Sequence, residues 1–169
     1  MRTGAQLPDP HPDGYTYGTN VGTIDSNVLS PEIQAAAKDG SLAPTDVTGM
    51  NPSWAWTAGG AISTAGDLAT YVKAMVGGGL LDPEMQQQRM ESLTPTDPGN
   101  PQAADYGYGI GAFGPYYGHS GELPGYNSFM GYDPDTDTTI VTWATNAPAP
   151  NGQGPAVELA KAAMSALAG

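Results

Sequence analysis

The chain has 169 residues, enough for one ordinary domain, and its 5 basic and 17 acidic residues give a formal net charge of -12. This charge disfavours phosphate backbones, so we expect no nucleic-acid partner. The absence of cysteine excludes disulfides, thiolate metal sites and a cysteine nucleophile. No apolar run is long enough to span a bilayer, and residues 1–30 contain no apolar core of a signal peptide.

Glycine and proline are unusually frequent, with 24 and 16 residues, so the sequence predicts a loop-rich chain. Charged residues make up only 13%, and 2 Phe, 3 Trp and 9 Tyr supply material for a core. Disorder driven by charge requires the opposite composition. We therefore expect a globular protein with a modest core.

Residues 1–62 are predicted to be irregular apart from one short helix. A short strand is expected at Tyr15–Tyr17. Ser30 can cap the helix, Pro31 suits its first position, and Asp39-Gly40 ends it.

Residues 63–93 are predicted to form two helices. Thr64 precedes Asp67 by three positions, which is a weaker form of the capping box. Asp82 is the expected cap of the second helix, which continues to about Ser92. Apolar residues at helical spacing predict one buried face on the first helix: Leu68, Tyr71, Val72, Met75 and Val76.

The chain then changes to the period of β-strands over residues 106–146, and residues 155–168 are predicted to form a closing helix. Asp133–Asp137 is the expected turn of a hairpin, and the β-branched run after it is typical of a central strand. The predicted strands are Tyr106–Phe113, Tyr116–Ser120, Asn127–Tyr132 and Thr138–Thr145. The expected apolar face of the closing helix is Val157, Ala160, Met164 and Leu167. This order predicts an α+β fold, an antiparallel sheet with flanking helices and the last helix on one sheet face.

Few residues could carry chemistry. His11 lies between two prolines and is interpreted as part of a solvated coil. His119, in Gly118–Gly121, is either an ordinary hydrogen-bonded strand histidine or a site residue. The acidic turn Asp133–Asp137 lacks the central glycine and closing glutamate of a calcium loop, and no Gly-Lys-Ser or Gly-Lys-Thr occurs. We therefore expect no metal and no cofactor.

Five blocks of sequence occur in an order that resembles the serine β-lactamase-like hydrolases, the group of class C β-lactamases, D-alanyl-D-alanine carboxypeptidases and related esterases. The blocks are Ala58–Leu68, Gly77–Leu81, Tyr106–Gly111, Gly118–Gly121 and Gly125–Phe129. In the fourth, His119-Ser120-Gly121 is similar to the family's third motif, which is Lys-Thr-Gly in β-lactamases and His-x-Gly in many carboxypeptidases. The resemblance implies a partial β-lactamase/transpeptidase-like fold over residues 1–169.

The family's other two motifs are missing. None of the three lysines follows a serine by three positions, so there is no Ser-x-x-Lys, and neither Tyr-x-Asn nor Ser-x-Asn occurs. In the family both motifs lie upstream of the matched region. The resemblance therefore implies a single segment, the C-terminal half of such a domain, without its nucleophile and base. We expect it to be inactive alone.

The resemblance also implies roles for the strand that carries the third motif. His119 would help to bind a substrate carboxylate or relay a proton. Ser120 would be substrate-binding or an ordinary strand serine, and Gly121 would let the substrate backbone approach closely. The backbone N–H of Glu122 would be one oxyanion donor, and the nucleophile's own residue would supply the other.

Three hypotheses remain open from the sequence. The first is the segment of a serine acyl hydrolase that acts, with the missing N-terminal half, on a D-Ala-D-Ala peptide, a β-lactam or an ester. The second is a non-catalytic binding or scaffold domain derived from that fold, and the third is an unrelated small α+β domain. The family resemblance implies an exported or cell-envelope protein, and an uncovered sheet face would favour a homodimer.

Overall fold

A computed structural model describes residues 7–18, 29–100, 103–151 and 154–169. These residues form an α+β fold with antiparallel sheets, as the sequence predicts. They divide into two compact units. The first takes its described residues from Met1–Ile62, Gly121–Ser128 and Thr142–Gly169, and the second from Ser63–Ser120 and Phe129–Val141. The interpretation of residues 1–169 as one segment of a larger domain stays a prediction.

Two sheets are present in the described chain. Strands β1 (Tyr15–Thr16) and β2 (Thr45–Asp46) form a small antiparallel pair. The larger sheet has six strands in the order of the chain, β3 to β8. They are β3 (Thr94–Pro95), β4 (Asp105–Tyr106), β5 (Gly111–Phe113), β6 (Tyr116–Leu123), β7 (Tyr126–Asp133) and β8 (Thr138–Ala144).

The predicted strand Tyr106–Phe113 is wrong, because a turn divides it into β4 and β5. The backbone N–H of Gly107 donates to the Ile110 carbonyl, and Gly109 adopts a φ of 68°. Glycine reaches this left-handed conformation without the steric penalty of a side chain. Strand β8 lies at the end of the strand order rather than in its centre, since β-branched residues suit any pleated, half-buried surface.

The helices of the described chain are α1 (Pro31–Asp39), α2 (Trp56–Gly59), α3 (Ala65–Val76), α4 (Pro83–Glu91) and α5 (Pro155–Ala168), and a 3-10 turn at Pro52–Ala55 precedes α2. Four of these five helices follow the predicted boundaries closely, and α2 lies in a stretch that is predicted to be irregular. Thr64 and Asp82 accept cap hydrogen bonds from the N–H groups of Asp67 and Met85, which confirms both predicted caps. Ser30 occupies the predicted cap position of α1, but its side chain makes no cap hydrogen bond.

The core of the second unit centres on three buried side chains, Val72, Met75 and Ile110. Partly buried side chains pack around it: Val76, Met90, Leu93, Tyr117, Met130 and Tyr132. Tyr71, predicted on the buried face of α3, is instead exposed. The buried stripe of α3 is therefore narrower than its apolar spacing suggests.

Helix α5 belongs to the first unit and buries small residues. Ala156 and Ala160 are fully buried, and the Thr142 hydroxyl on β8 donates to the Ala156 carbonyl at 2.7 Å. Of the predicted apolar face, Leu167 is exposed. No helix in the described parts of the chain is long and apolar enough to cross a membrane.

An ion pair in the second unit links α3 to the β7–β8 turn. Lys73 Nζ lies 2.7 Å from Asp137 Oδ1, and this hydrogen bond lowers the pKa of the Asp137 carboxyl. A carboxyl with a lowered pKa in the folded state stabilises the protein above its unfolded pKa of about 3.9, and loses that contribution as the pH falls through the lowered value.

We therefore expect Lys73→Gln to lower the stability at pH 7 and to flatten the loss of stability on acidification below about pH 4. Thermal unfolding from pH 7 to pH 2 measures both effects. The control is Lys161→Gln, which removes the exposed pair of Lys161 and Glu158, 2.9 Å apart, within one turn of α5. If the melting temperature fell equally steeply with decreasing pH in the two variants, the Lys73–Asp137 pair would not be the source of the acid dependence.

Candidate active site

Strand β6 carries the four candidate residues from His119 to Glu122. It pairs with β5 only as far as Gly118, which faces Gly111. On its other side β7 follows directly after a tight turn at Pro124-Gly125, where Gly125 has a φ of 84°. The candidate residues thus lie on the part of β6 beyond the register with β5.

Gly118 fixes the path of β6 just before the candidate residues. A Cβ atom at this position would lie 1.9 Å from the Met130 carbonyl oxygen of β7, which no side chain could occupy. Gly121 is different, because an added Cβ would meet only the rotatable Ser128 hydroxyl, at 2.8 Å. The backbone of β6 is therefore pressed against β7 at Gly118.

Both ring nitrogens of His119 are hydrogen-bonded to protein groups. Nδ1 contacts the Ser120 carbonyl oxygen, and Nε2 lies 2.7 Å from the Tyr106 hydroxyl. A carbonyl can only accept, so Nδ1 carries the proton and, in the neutral ring, Nε2 accepts from the Tyr106 O–H. The two rings meet edge to face, with centroids 5.6 Å apart. Sequence reasoning missed Tyr106 as a partner, since only the sheet register brings it to His119.

Glu122 is the last of the four candidates along the strand. The residue is exposed, yet desolvation of its carboxyl raises the pKa above the ordinary value. The Gly121 carbonyl points towards β7, where it accepts from Asn127 Nδ2 at 2.9 Å. Because hydrogen-bonding groups alternate along a strand, the backbone N–H of Glu122 lies on the opposite edge.

Asn127 is a functional-site neighbour to which sequence reasoning assigned no role. It is buried at 4% exposure, donates to the Gly121 carbonyl and accepts from the Ala156 N–H at 2.9 Å. One amide thus holds the end of β6 and caps the first turn of α5. In the sequence, only the position of Asn127 just after the glycine turn could have pointed to it, and that position does not reveal its partner Ala156 on α5.

The remaining candidates are held by local contacts. His11 Nδ1 lies 3.2 Å from the Pro12 carbonyl oxygen. Asp133 accepts from the Thr136 hydroxyl and from the Asp135 N–H, which closes the acidic turn and lowers the pKa of the Asp133 carboxyl. Across the residues that the structure describes, no cluster of three or more His, Asp or Glu side chains could hold a metal ion.

The family model described as Beta-lactamase matches residues 2–164. This chain belongs to the Beta-lactamase family. The match extends over the β6 strand and its candidate residues, and it agrees with the resemblance of the sequence blocks. None of the curated proteins matches the chain.

Solved structures share the fold of this Beta-lactamase family member at low identity. The D-stereospecific amidohydrolase from Streptomyces sp. is 22% identical with a TM-score of 0.67, and the alignment covers 92% of this chain and 40% of that one. The D-amino acid amidase from Ochrobactrum anthropi SV3, complexed with L-phenylalanine amide, is 22% identical with a TM-score of 0.64, over 92% and 42% of the two chains. The chain therefore spans about two fifths of each of these proteins.

The roles of His119, Ser120, Gly121 and Glu122 stay predictions, because the geometry shows their partners and not a substrate. What the structure does show is a continuous strand whose two ends are fixed differently. His119 is held by Tyr106, and the Gly121 carbonyl is held by Asn127.

Replacing Asn127 by Ala should lower the free energy of unfolding by about 1–3 kcal/mol, because it leaves a buried carbonyl and a helix N–H without their partner. Asn127→Asp keeps the acceptor for Ala156, loses the donor to Gly121 and places a buried carboxylate beside Glu122 Oε2, 3.5 Å from the present amide nitrogen, so it tests the lost donor together with an added charge. Urea unfolding measures each effect.

The matched control is Asn51→Ala. Asn51 Oδ1 accepts from the Ser53 N–H at 2.9 Å in an exposed turn, so its loss should cost less. An Asn127→Ala protein no less stable than Asn51→Ala would show that the buried amide does not hold β6 to α5.

Proposed function

We propose that this chain forms one wall of the active site of a serine acyl hydrolase, with nucleophile and base supplied by a segment that carries Ser-x-x-Lys. The single observation that carries the proposal is the course of β6, which continues past its register with β5 at Gly118 and bears the His-x-Gly motif there. Membership of the Beta-lactamase family supports the same chemistry.

Acyl transfer requires an activated nucleophile, a base and donors for the developing oxyanion. The Glu122 N–H, on the edge of β6 opposite β7, is our proposed oxyanion donor. A backbone N–H is suited to this task because the strand fixes it before the reaction starts. Asn127 contributes indirectly by holding the Gly121 carbonyl, and with it the peptide plane that ends in the Glu122 N–H.

The proposed substrates are amides, peptides or esters of D-amino acids. The two structural relatives are by name a D-stereospecific amidohydrolase and a D-amino acid amidase, which adds amides to the D-Ala-D-Ala peptides, esters and β-lactams expected from the sequence. The His-x-Gly form of the third motif favours carboxypeptidase or esterase activity over β-lactamase activity.

A non-catalytic binding or scaffold domain is the second candidate. It is favoured by the absence of Ser-x-x-Lys and Tyr-x-Asn from all 169 residues. Export to the cell envelope and formation of a homodimer remain predictions, and neither would distinguish the hydrolase from the scaffold domain.

Covalent labelling separates the two candidates. The 169-residue chain and a protein extended by the residues encoded upstream are each treated with a fluorescent penicillin and a fluorophosphonate, and serine adducts are counted by mass spectrometry. We expect no adduct on the chain alone, since a serine without a neighbouring base is a weak nucleophile. We expect one adduct on the extended protein, at a serine of Ser-x-x-Lys.

Stoichiometric labelling of a serine in the 169-residue chain would contradict the proposal that another segment supplies the nucleophile and the base. An extended protein with no Ser-x-x-Lys and no adduct would establish the scaffold instead.

His119→Ala tests the site role of the imidazole. In the extended protein we expect acylation to fall by about 10²-fold or more, the scale on which a misplaced group lowers the rate of a preorganised site, with little change in melting temperature. His11→Ala, in the coil, is the matched control. Near-normal acylation with a clearly lowered melting temperature would make His119 a structural histidine.

A further inference from the structure

At the His119 end of β6 the hydroxyl of Tyr106 is hydrogen-bonded to the imidazole. Tyr106 is 44% exposed, whereas His119 is only partly exposed and has both nitrogens engaged by Ser120 and Tyr106. Of this hydrogen-bonded pair, the tyrosine is therefore the more accessible side chain, and the imidazole has no nitrogen without a protein partner.

The direction of the Tyr106–His119 hydrogen bond determines whether the phenol can donate or accept a further hydrogen bond. The Nδ1–H donates to the Ser120 carbonyl, so Nε2 of the neutral ring accepts a hydrogen bond from the Tyr106 hydroxyl. The phenol oxygen then presents lone pairs, and no proton, to the outside. A hydroxyl that donates one hydrogen bond becomes a better acceptor for another, because the two bonds polarise each other.

The sheet holds the phenol in place. Tyr106 pairs with Thr94 on one side and with Gly111 on the other, so its backbone is fixed by both neighbouring strands. Gly111 pairs in turn with Gly118, the residue before His119. Strands β4, β5 and β6 are thus held side by side, and this spacing places the Tyr106 side chain within reach of the His119 imidazole.

Among the described residues of the second unit, no lysine or arginine is hydrogen-bonded to Tyr106 or His119. The two cationic residues of this unit are Lys73 and Arg89, both of which the structure describes. Lys73 is bonded to Asp137, and neither residue bonds to Tyr106 or His119. An acceptor oxygen in a chain with a net charge of -12 suits an N–H donor or a protonated amine better than an anion.

We propose that the Tyr106 hydroxyl, held by His119, accepts a hydrogen bond from the protonated amine of the substrate and so selects amine-bearing D-amino acid amides over acyl donors with a free carboxylate. The inference rests on the proposed function for its substrate class. It also revises the expected role of His119, which acts here as the positioning residue behind the tyrosine and not as the carboxylate contact.

Nuclear magnetic resonance tests binding on the 169-residue chain, without any need for catalysis. The chain has two histidines, so ¹⁵N labelling gives two sets of imidazole signals, which His11→Gln assigns. D-phenylalaninamide supplies the amine, and N-acetyl-D-phenylalanine supplies the carboxylate without an amine. We expect D-phenylalaninamide to shift the His119 signals and N-acetyl-D-phenylalanine to leave them unchanged.

The decisive variant is Tyr106→Phe, which keeps the ring and removes the hydroxyl. We expect its dissociation constant for D-phenylalaninamide to rise by about 10-fold or more, the scale of a hydrogen bond to a charged group. Tyr108→Phe is the matched control, because Tyr108 lies in the turn that follows β4 at 72% exposure, and this variant should bind as the unmodified chain does.

Three results would overturn the inference: a His119 shift with the carboxylate probe, no shift with either probe, or unchanged affinity in Tyr106→Phe. In the extended protein, Tyr106→Phe should also lower the ratio of kcat/KM for amine-bearing over carboxylate-bearing substrates by about 10-fold. Absence of turnover there contradicts the proposed function, whereas the binding measurement decides the role of Tyr106 separately.

Discussion

The contact between β6 and β7 at Gly118 is the constraint on which the candidate site depends. Only hydrogen fits where a Cβ would lie 1.9 Å from the Met130 carbonyl oxygen, so the path of β6 is set one residue before His119. Rigid strands position chemical groups more accurately than loops do. The Tyr106–His119 hydrogen bond follows from that path, because it joins a side chain of β4 to the residue after the contact.

In β6, His119 and the Gly121–Glu122 peptide offer different chemical groups to a substrate. His119 is hydrogen-bonded to the Tyr106 hydroxyl, whose uncharged oxygen can accept a further hydrogen bond from a substrate. Two residues later the strand offers backbone groups, with the Gly121 carbonyl bound by Asn127 and the Glu122 N–H on the other edge. In the proposed enzyme the first point would recognise the substrate, and the second would stabilise charge in the transition state.

Local sequence signals predicted much of the fold. Thr64, Asp82 and the Asp133–Asp137 turn act through residues two or three positions away, so their patterns are visible in the sequence. The break after Tyr106 depends on the positive φ of Gly109, which an alternating strand pattern conceals. Exposure of Leu167 on α5 depends on which residues pack against the helix, and periodicity alone does not specify that.

The candidate site was only partly predictable for the same reason. The motif located His119 through Glu122, since they are consecutive in the chain. Their partners are remote: Tyr106 comes from β4, and Asn127 also reaches Ala156, 29 positions along the chain. Such partners arise from strand register and helix packing, which no short motif records.

The central claim is that the strand from His119 to Glu122 forms one wall of an acyl-transfer site. A crystal structure of the extended protein with a phosphonate bound to its nucleophilic serine tests it most directly, because the phosphonyl oxygen stands in for the oxyanion. The account predicts that oxygen at about 2.7–3.1 Å from the backbone nitrogen of Glu122. A phosphonyl oxygen bound by other donors, with β6 turned away from the adduct, would contradict it.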